Sequence, residues 1–112
     1  MDNVGVLAVD HREASRRAAR ELVAATPGFS WVAEAASAEE AIEAALELRP
    51  GLVLIEPGLP GIDGRETGRR LEDALPSAKV VVLPASGEPD LASLTPAALR
   101  ALWQGEGTDS LR

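Results

Sequence analysis

Short apolar runs alternate along the chain with longer segments in which apolar residues recur at helical spacing. The apolar runs are rich in Val, Leu, Ile and Ala, and they span residues 4–9, 29–35, 52–55 and 80–83. Continuous apolar runs of this length are typical of strands that are covered on both faces of a sheet. The pattern therefore predicts four buried strands.

The segments between the runs predict three helices. The first covers residues 11–25, the second begins after Ser37 and ends before Pro50, and the third covers residues 65–75. Ser37 and Glu40 have the spacing of a capping box, which marks a helix start. The predicted inner faces consist of Ala14, Ala18, Leu22 and Ala25 in the first helix, of Ala38, Ala41, Ile42, Ala45 and Leu46 in the second, and of Thr67, Leu71, Ala74 and Leu75 in the third.

Strands that alternate with helices predict an α/β fold with a doubly wound parallel sheet. After the fourth run the pattern is less regular, and no fifth strand is apparent. Thr95-Pro96 is typical of a helix start, and it predicts a last helix over residues 96–104. We expect residues 1–104 to form one domain and residues 105–112, which are polar and contain glycine, to form a flexible tail.

Composition and charge exclude several classes of function. The net charge of −7 argues against nucleic-acid binding by this chain alone, because that needs a basic surface. There is no cysteine for a disulfide or a thiolate metal site. No segment has the length of a membrane span, and the first residues lack the basic start of a secretory signal. We therefore expect a cytoplasmic protein.

Candidate chemistry lies where the predicted strands end, since ligands of open parallel sheets bind at the carboxyl ends of the strands. Asp10 and His11 follow the first strand, Glu56 follows the third, and Pro84 follows the fourth. Two interpretations stay open on position alone. The three titratable residues form a functional acidic cluster, or Asp10 and His11 merely begin a helix and Glu56 is a solvated charge. A transition-metal site is disfavoured, because adjacent residues at one strand end seldom converge.

Five segments carry a family resemblance in their order and spacing, and they are Val9-Asp10-His11-Arg12, residues 26–41, residues 49–56, Leu59-Pro60-Gly61-Ile62-Asp63-Gly64 and residues 79–85. Together they resemble CheY-like response-regulator receiver domains, in the branch that usually carries a LuxR-type helix-turn-helix. The resemblance covers about residues 3–90. It implies strand order 2-1-3-4-5, a loop built on Pro60, Gly61, Asp63 and Gly64, and a phosphorylation site at the carboxyl ends of the strands.

The departures from the family pattern concern the chemistry. Asp10 keeps the place of one Mg²⁺-binding acid, but His11 stands for the second, and Glu56 replaces the phosphoaccepting aspartate. Pro84 stands at the place of the switch hydroxyl, and the family's lysine has no equivalent, because the single lysine, Lys79, lies at the start of the fourth strand. We therefore expect a degenerate phosphorylation site with lost or weak Mg²⁺ binding, no metal and no catalytic residue. Glu56 is interpreted as a leftover surface acid, with a mimic of the phosphorylated state as the alternative.

These observations predict an atypical receiver that is not an enzyme and acts through protein–protein contacts. Arg12, Arg16 and Arg20 form a basic helix face, either an ordinary solvated face or a docking surface for a kinase or regulator. Without a fifth strand, residues 80–83 form an exposed edge, which helix 96–104 covers or which supports a homodimer. The alternative functions are a small-molecule sensor that uses the vacated crevice and a still phosphorylatable fragment of a DNA-binding regulator.

Overall fold

The computed structural model describes residues 3–87 and 89–105 of the 112-residue chain. Strands and helices alternate as the sequence pattern predicts, and most boundaries agree within two residues. In chain order the elements are β1 Val4–Val9, α1 Glu13–Ala24, β2 Phe29–Ala35, α2 Ala38–Leu48, β3 Leu52–Ile55, α3 Gly64–Ala74, β4 Lys79–Val82, a 3₁₀ turn Leu91–Ser93 and α4 Pro96–Gln104. The predicted tail falls, apart from Gly105, outside the described residues.

The four strands form one parallel sheet in the order β2-β1-β3-β4. This confirms the predicted doubly wound α/β fold. Since all strands run the same way, their carboxyl ends lie at one rim of the sheet, and the residues after β1, β3 and β4 meet there.

Each face of the sheet has its own helical layer and its own apolar core. Residues of α1 and α4 pack on one face with Val81 and Leu83. Residues of α2 and α3 pack on the other, where Val80 and Val82 point. The strands are buried from both sides, which explains why their sequence is apolar without alternation.

The predicted inner face of α1 is wrong in detail. The buried residues of α1 are Ser15, Ala19, Leu22 and Val23, while Ala14 and Ala25 are exposed. The predicted residues were spaced almost uniformly by four, and such a line turns about 40° around the helix at each step. The true stripe mixes spacings of three and four and therefore stays on one face. In α2, Leu46 was also placed inside but is 48% exposed.

The Ser37 cap of α2 is confirmed, since its hydroxyl accepts a hydrogen bond from the backbone N–H of Glu40 at 3.2 Å. The Glu40 carboxylate, however, accepts from the N–H of Ala36 rather than from that of Ser37. The first contact satisfies an N–H group that the first helical turn leaves unpaired, and the second holds the residue that precedes the cap.

No strand in the described ranges pairs with the outer edge of β4. The absence of a fifth strand therefore agrees with the sequence pattern. Helix α4 packs on the α1 face through Leu99 and Leu102, and the Lys79 ammonium donates to the carbonyl oxygen of Trp103. Helix α4 therefore does not supply the strand partner that the edge of β4 lacks.

Candidate functional site

Three titratable side chains converge at the carboxyl-end rim of the sheet. Asp10 and His11 follow β1 directly, and Glu56 follows β3, whose parallel register aligns Val9 with Ile55. One potential ligand atom from each of the three side chains lies within 4.8 Å of the others. The expectation that adjacent residues at a strand end do not converge is therefore wrong here.

Glu56 is buried, with 6% of its surface exposed. Its Oε2 accepts a hydrogen bond from the backbone N–H of His11, and it lies 2.6 Å from the imidazole Nδ1 of His11. The interpretation of Glu56 as a leftover surface acid is therefore wrong. A carboxylate removed from water in this way needs hydrogen-bonding partners, and His11 supplies two.

Asp10 is fully buried and is held by Arg12. The Arg12 backbone N–H donates to Asp10 Oδ1 at 2.8 Å, its Nε donates to the same oxygen at 3.1 Å, and its Nη2 donates to Oδ2 at 3.0 Å. Burial by itself would raise the pKa of Asp10, but the hydrogen bonds, led by those from Arg12, outweigh it and the pKa lies below its ordinary value. The Asp10 carboxylate is thus ionised and paired within the chain.

Sequence reasoning placed Arg12 on a basic helix face, either solvated or a docking surface, and missed its contact with Asp10. The signal was weak, because an arginine two residues after an aspartate occurs in many contexts. Only the turn from β1 into α1 brings the guanidinium back over the carboxylate. A further acid, Asp90, lies 3.9 Å from Arg12 Nη1 and comes from the segment before the 3₁₀ turn.

The other two arginines of the predicted face also have acid partners. Arg16 donates to the carbonyl oxygen of Asp10 at 2.9 Å and to Glu34 Oε1 at 2.8 Å, and Arg20 pairs with the second oxygen of Glu34. The hydrogen bond from Arg16, followed by that from Arg20, holds the pKa of Glu34 below its usual range. These arginines therefore tie α1 to β2 and to the rim, and docking through them stays a prediction.

The loop between β3 and α3 takes its shape from the motif residues. Gly61 has a φ of +77°, which other residues adopt only with strain. Asp63 caps α3 by accepting from the N–H of Glu66 at 2.9 Å. A Cβ on Gly64 would lie 2.2 Å from the carbonyl oxygen of Glu56, so only glycine fits against that backbone. Pro60 is exposed at the loop surface.

Pro84 borders a small cavity beside the acids and contributes no hydroxyl to it. The cavity measures about 170 Å³, and its lining includes His11, Arg12, Glu56 and Pro84. Pockets for drug-sized ligands usually span about 300–1,000 Å³. The space that Pro84 leaves is therefore small for the sensor function considered from the sequence.

The fold and rim define a doubly wound α/β domain with titratable groups at the ends of adjacent parallel strands. A family model described as the response regulator receiver domain matches residues 6–99. This chain belongs to that family and is the receiver domain of a two-component response regulator.

Relatives of known function contain more than this domain. The chain is 33% identical over 112 residues to protein-glutamate methylesterase/protein-glutamine glutaminase 4 of Myxococcus xanthus, covering 97% of this chain and 32% of that protein. It is 32% identical over 81 residues to the nitrate/nitrite response regulator protein NarL of Escherichia coli, covering 72% and 38%. The chain thus spans about a third of the length of these relatives.

Solved structures share the fold. The response regulator RcsB of Salmonella typhimurium superposes with a TM-score of 0.80 at 20% identity, covering 99% of this chain and 66% of that one. A LuxR-family two-component response regulator from Aurantimonas superposes with a TM-score of 0.74 at 24% identity, covering 99% of this chain and 100% of that one.

None of the helices in the described part of the chain has the length and hydrophobicity of a membrane span.

Proposed function

We propose that this receiver domain acts through protein–protein contacts without phosphorylation of residue 56. One observation carries the proposal. Both carboxylates of the rim are already paired within the chain, Asp10 with Arg12 and Glu56 with His11. In this proposal the crevice is a closed structural unit, and the domain is not an enzyme.

The donor set supports weak or lost Mg²⁺ binding. Mg²⁺ prefers oxygen ligands in near-octahedral geometry, whereas His11 offers a nitrogen. The two oxygens of Asp10 accept hydrogen bonds from Arg12, and Glu56 Oε2 accepts from His11. A cation would have to displace Arg12 before it contacted Asp10, and His11 before it contacted Oε2 of Glu56, so the residues present do not fit Mg²⁺.

The acceptor position also supports the proposal. Phosphoryl transfer depends on the alignment of the attacking oxygen with the phosphorus and the leaving group. Glu56 carries one methylene more than aspartate, and its Oε2 is turned toward His11 at 2.6 Å. An acid that is buried and bonded in this way presents little of its carboxylate to a phosphodonor.

The elements that would report a phosphoryl group are missing as well. Pro84 has no hydroxyl, and Lys79, the single lysine of the sequence, begins β4 at the end of the sheet away from the rim. Its ammonium donates to the carbonyl oxygen of Trp103. In the described part of the chain, position 84 offers no hydroxyl and the rim holds no lysine, so these two partners for a phosphoryl group on residue 56 are absent.

Amide NMR of the full chain tests the proposal. Addition of Mg²⁺ to about 10 mM, followed by beryllofluoride or acetyl phosphate, is expected to leave the resonances of residues 9–12, 56–58 and 83–85 in place. The double variant His11→Asp, Glu56→Asp restores the acid set that the family resemblance implies, and it is the matched control. We expect that control to show saturable shifts with Mg²⁺. Saturable shifts of the same residues in the wild-type chain would refute the proposal.

A further inference from the structure

The outer edge of β4 and the adjoining side of α3 form an unpartnered surface with twofold complementarity. We propose that two copies of this chain associate through it, with the β4 strands antiparallel and the two α3 helices side by side. This interface is independent of the chemistry at Glu56 and goes beyond the proposed function.

The backbone of β4 can form hydrogen bonds with a second strand on its open side. The N–H groups of Lys79 and Leu83 donate to the carbonyl oxygens of Gly51, just before β3, and Ile55, at its end. The alternating backbone therefore directs the N–H and C=O groups of Val80 and Val82 to the open side. Lys79 begins β4 and Pro84 follows Leu83, so protective residues flank the edge at both ends, while residues 80–83 between them are apolar. An apolar stretch of an edge strand is a template for pairing with another chain.

A groove runs along this edge between β4 and α3. It measures about 330 Å³ and is lined by Arg65, Gly68, Arg69, Glu72, Val80 and Val82. Gly68 is buried, and a Cβ there would lie 3.0 Å from Val82 and 3.6 Å from Val80. Gly68 therefore sits between these two valines, at the level of Val81.

A twofold axis that passes near Val81 and Gly68 allows both the β4 strands and the α3 helices of the two copies to pair. In the strands, it sets Val80 opposite Val82 of the second copy, so the two residues exchange both backbone hydrogen bonds, and this occurs twice. In the helices, the same axis sets Arg65 opposite Glu72 of the second copy, because these residues lie three positions before and four positions after Gly68. Each contact then occurs in both directions, as an isologous interface requires.

The charges favour a second copy over an unrelated chain. Arg65 and Glu72 are exposed, and the ion pairs found among the described residues include neither of them. A surface that carries one positive and one negative residue at symmetric positions is complementary to a second copy of itself. A partner surface of uniform charge would repel one of the two residues. Arg69, at the centre, pairs with Glu66 of its own helix.

The handedness of crossover connections indicates that the partner strand of β4 comes from another molecule. Helix α3 lies on the α2 face of the sheet, whereas α4 lies on the α1 face. A strand that followed α4 directly and lay beyond β4 would therefore make a left-handed crossover. Right-handed crossovers account for about 98% of such connections.

Sedimentation equilibrium of the full chain across a concentration series tests the interface. We expect a monomer–dimer equilibrium for the wild type. Arg65→Glu sets two acids against each other, Glu72→Arg sets two arginines against each other, and each is expected to raise the dissociation constant at least about tenfold. Arg100→Glu on α4 makes the same change of net charge as Arg65→Glu and is expected to leave association unchanged.

Mixing the two variants gives the sharper result. A heterodimer of Arg65→Glu with Glu72→Arg has an opposite charge at both crossing points, so the equimolar mixture should dimerise near the wild-type constant. Circular dichroism of each variant checks that the fold is retained. A wild-type chain that stays monomeric to about 1 mM, or variants that associate as the wild type does, would overturn the proposal.

Discussion

The imidazole Nδ1 of His11 lies 2.6 Å from Oε2 of Glu56, although 45 positions separate the two residues in the sequence. The parallel pairing of β1 with β3 fixes this contact, since it ends both strands at the same level. The contact occupies one oxygen of the Glu56 carboxylate with a group of the chain itself.

A double-mutant cycle measures the contact between these two side chains. His11→Ala and Glu56→Ala are each expected to destabilise the fold by about 1 kcal/mol or more, because each leaves a polar partner without its hydrogen bond. The double variant should lose about 1 kcal/mol less than the sum, as contacting residues couple by about 0.5–3 kcal/mol. Urea denaturation provides the free energies of unfolding. The pair His11→Ala and Asp73→Asn, at the far end of α3, serves as control and should be additive.

Asp10 makes stability depend on acid pH. Its pKa in the folded chain lies below the ordinary value, so its contribution is present above the unfolded pKa and is lost as the pH falls through the folded pKa. Asp10→Asn should cost about 1.5–3 kcal/mol at pH 7, because it removes a charged partner of Arg12. The difference from wild type should shrink as the pH falls below about 4.

Urea denaturation between pH 3 and pH 7 measures the effect of Asp10→Asn. Asp73→Asn, at an exposed position on α3, is the matched substitution and should follow the wild-type pH dependence more closely. Equal pH dependence for wild type and Asp10→Asn would contradict the contribution assigned to the Asp10–Arg12 pair.

Gly64 is required by space rather than by backbone conformation. Gly64→Ala would place a Cβ 2.2 Å from the Glu56 carbonyl oxygen and 2.8 Å from Pro57 Cα, and both contacts are with backbone. We expect a loss of about 1–3 kcal/mol or more, since a crowded site relaxes only by shifting the chain. Gly58→Ala in the same loop would meet only Glu56 Oε1 at 3.8 Å, and its change should stay within about 0.5 kcal/mol. Thermal and urea unfolding distinguish the two, and equal effects would show the geometry to be wrong.

Asp63 stabilises the start of α3 as an N-cap. Asp63→Ala removes the acceptor for the Glu66 N–H, and it should cost about 1 kcal/mol. Asp63→Asn keeps a capping oxygen, so it should retain most of that stability. Urea unfolding of the three proteins measures the difference. Similar losses for alanine and asparagine would place the role of Asp63 elsewhere than in the cap.

The sequence alone determined the order of strands and helices, the parallel sheet and the family. It also determined the helix starts at Ser37 and Thr95, whose side chains accept hydrogen bonds from the N–H groups of Glu40 and Ala98. These features depend on hydrophobic periodicity, on the residues that start and end helices, and on short motifs. All three can be recognised in the sequence without the structure. The sequence also placed Asp10, His11 and Glu56 at one rim, because the carboxyl ends of parallel strands meet.

Only the tertiary structure decided what those residues contact. The pairing of Asp10 with Arg12, the burial of Glu56 against His11 and the engagement of Arg16 and Arg20 with Glu34 depend on how α1 leaves β1 and lies beside β2. The rotation of α1, which buries Ser15 instead of Ala14, has the same origin. A hydrogen bond is decided over a few tenths of an ångström and a few tens of degrees, and hydrophobic periodicity does not specify positions that finely.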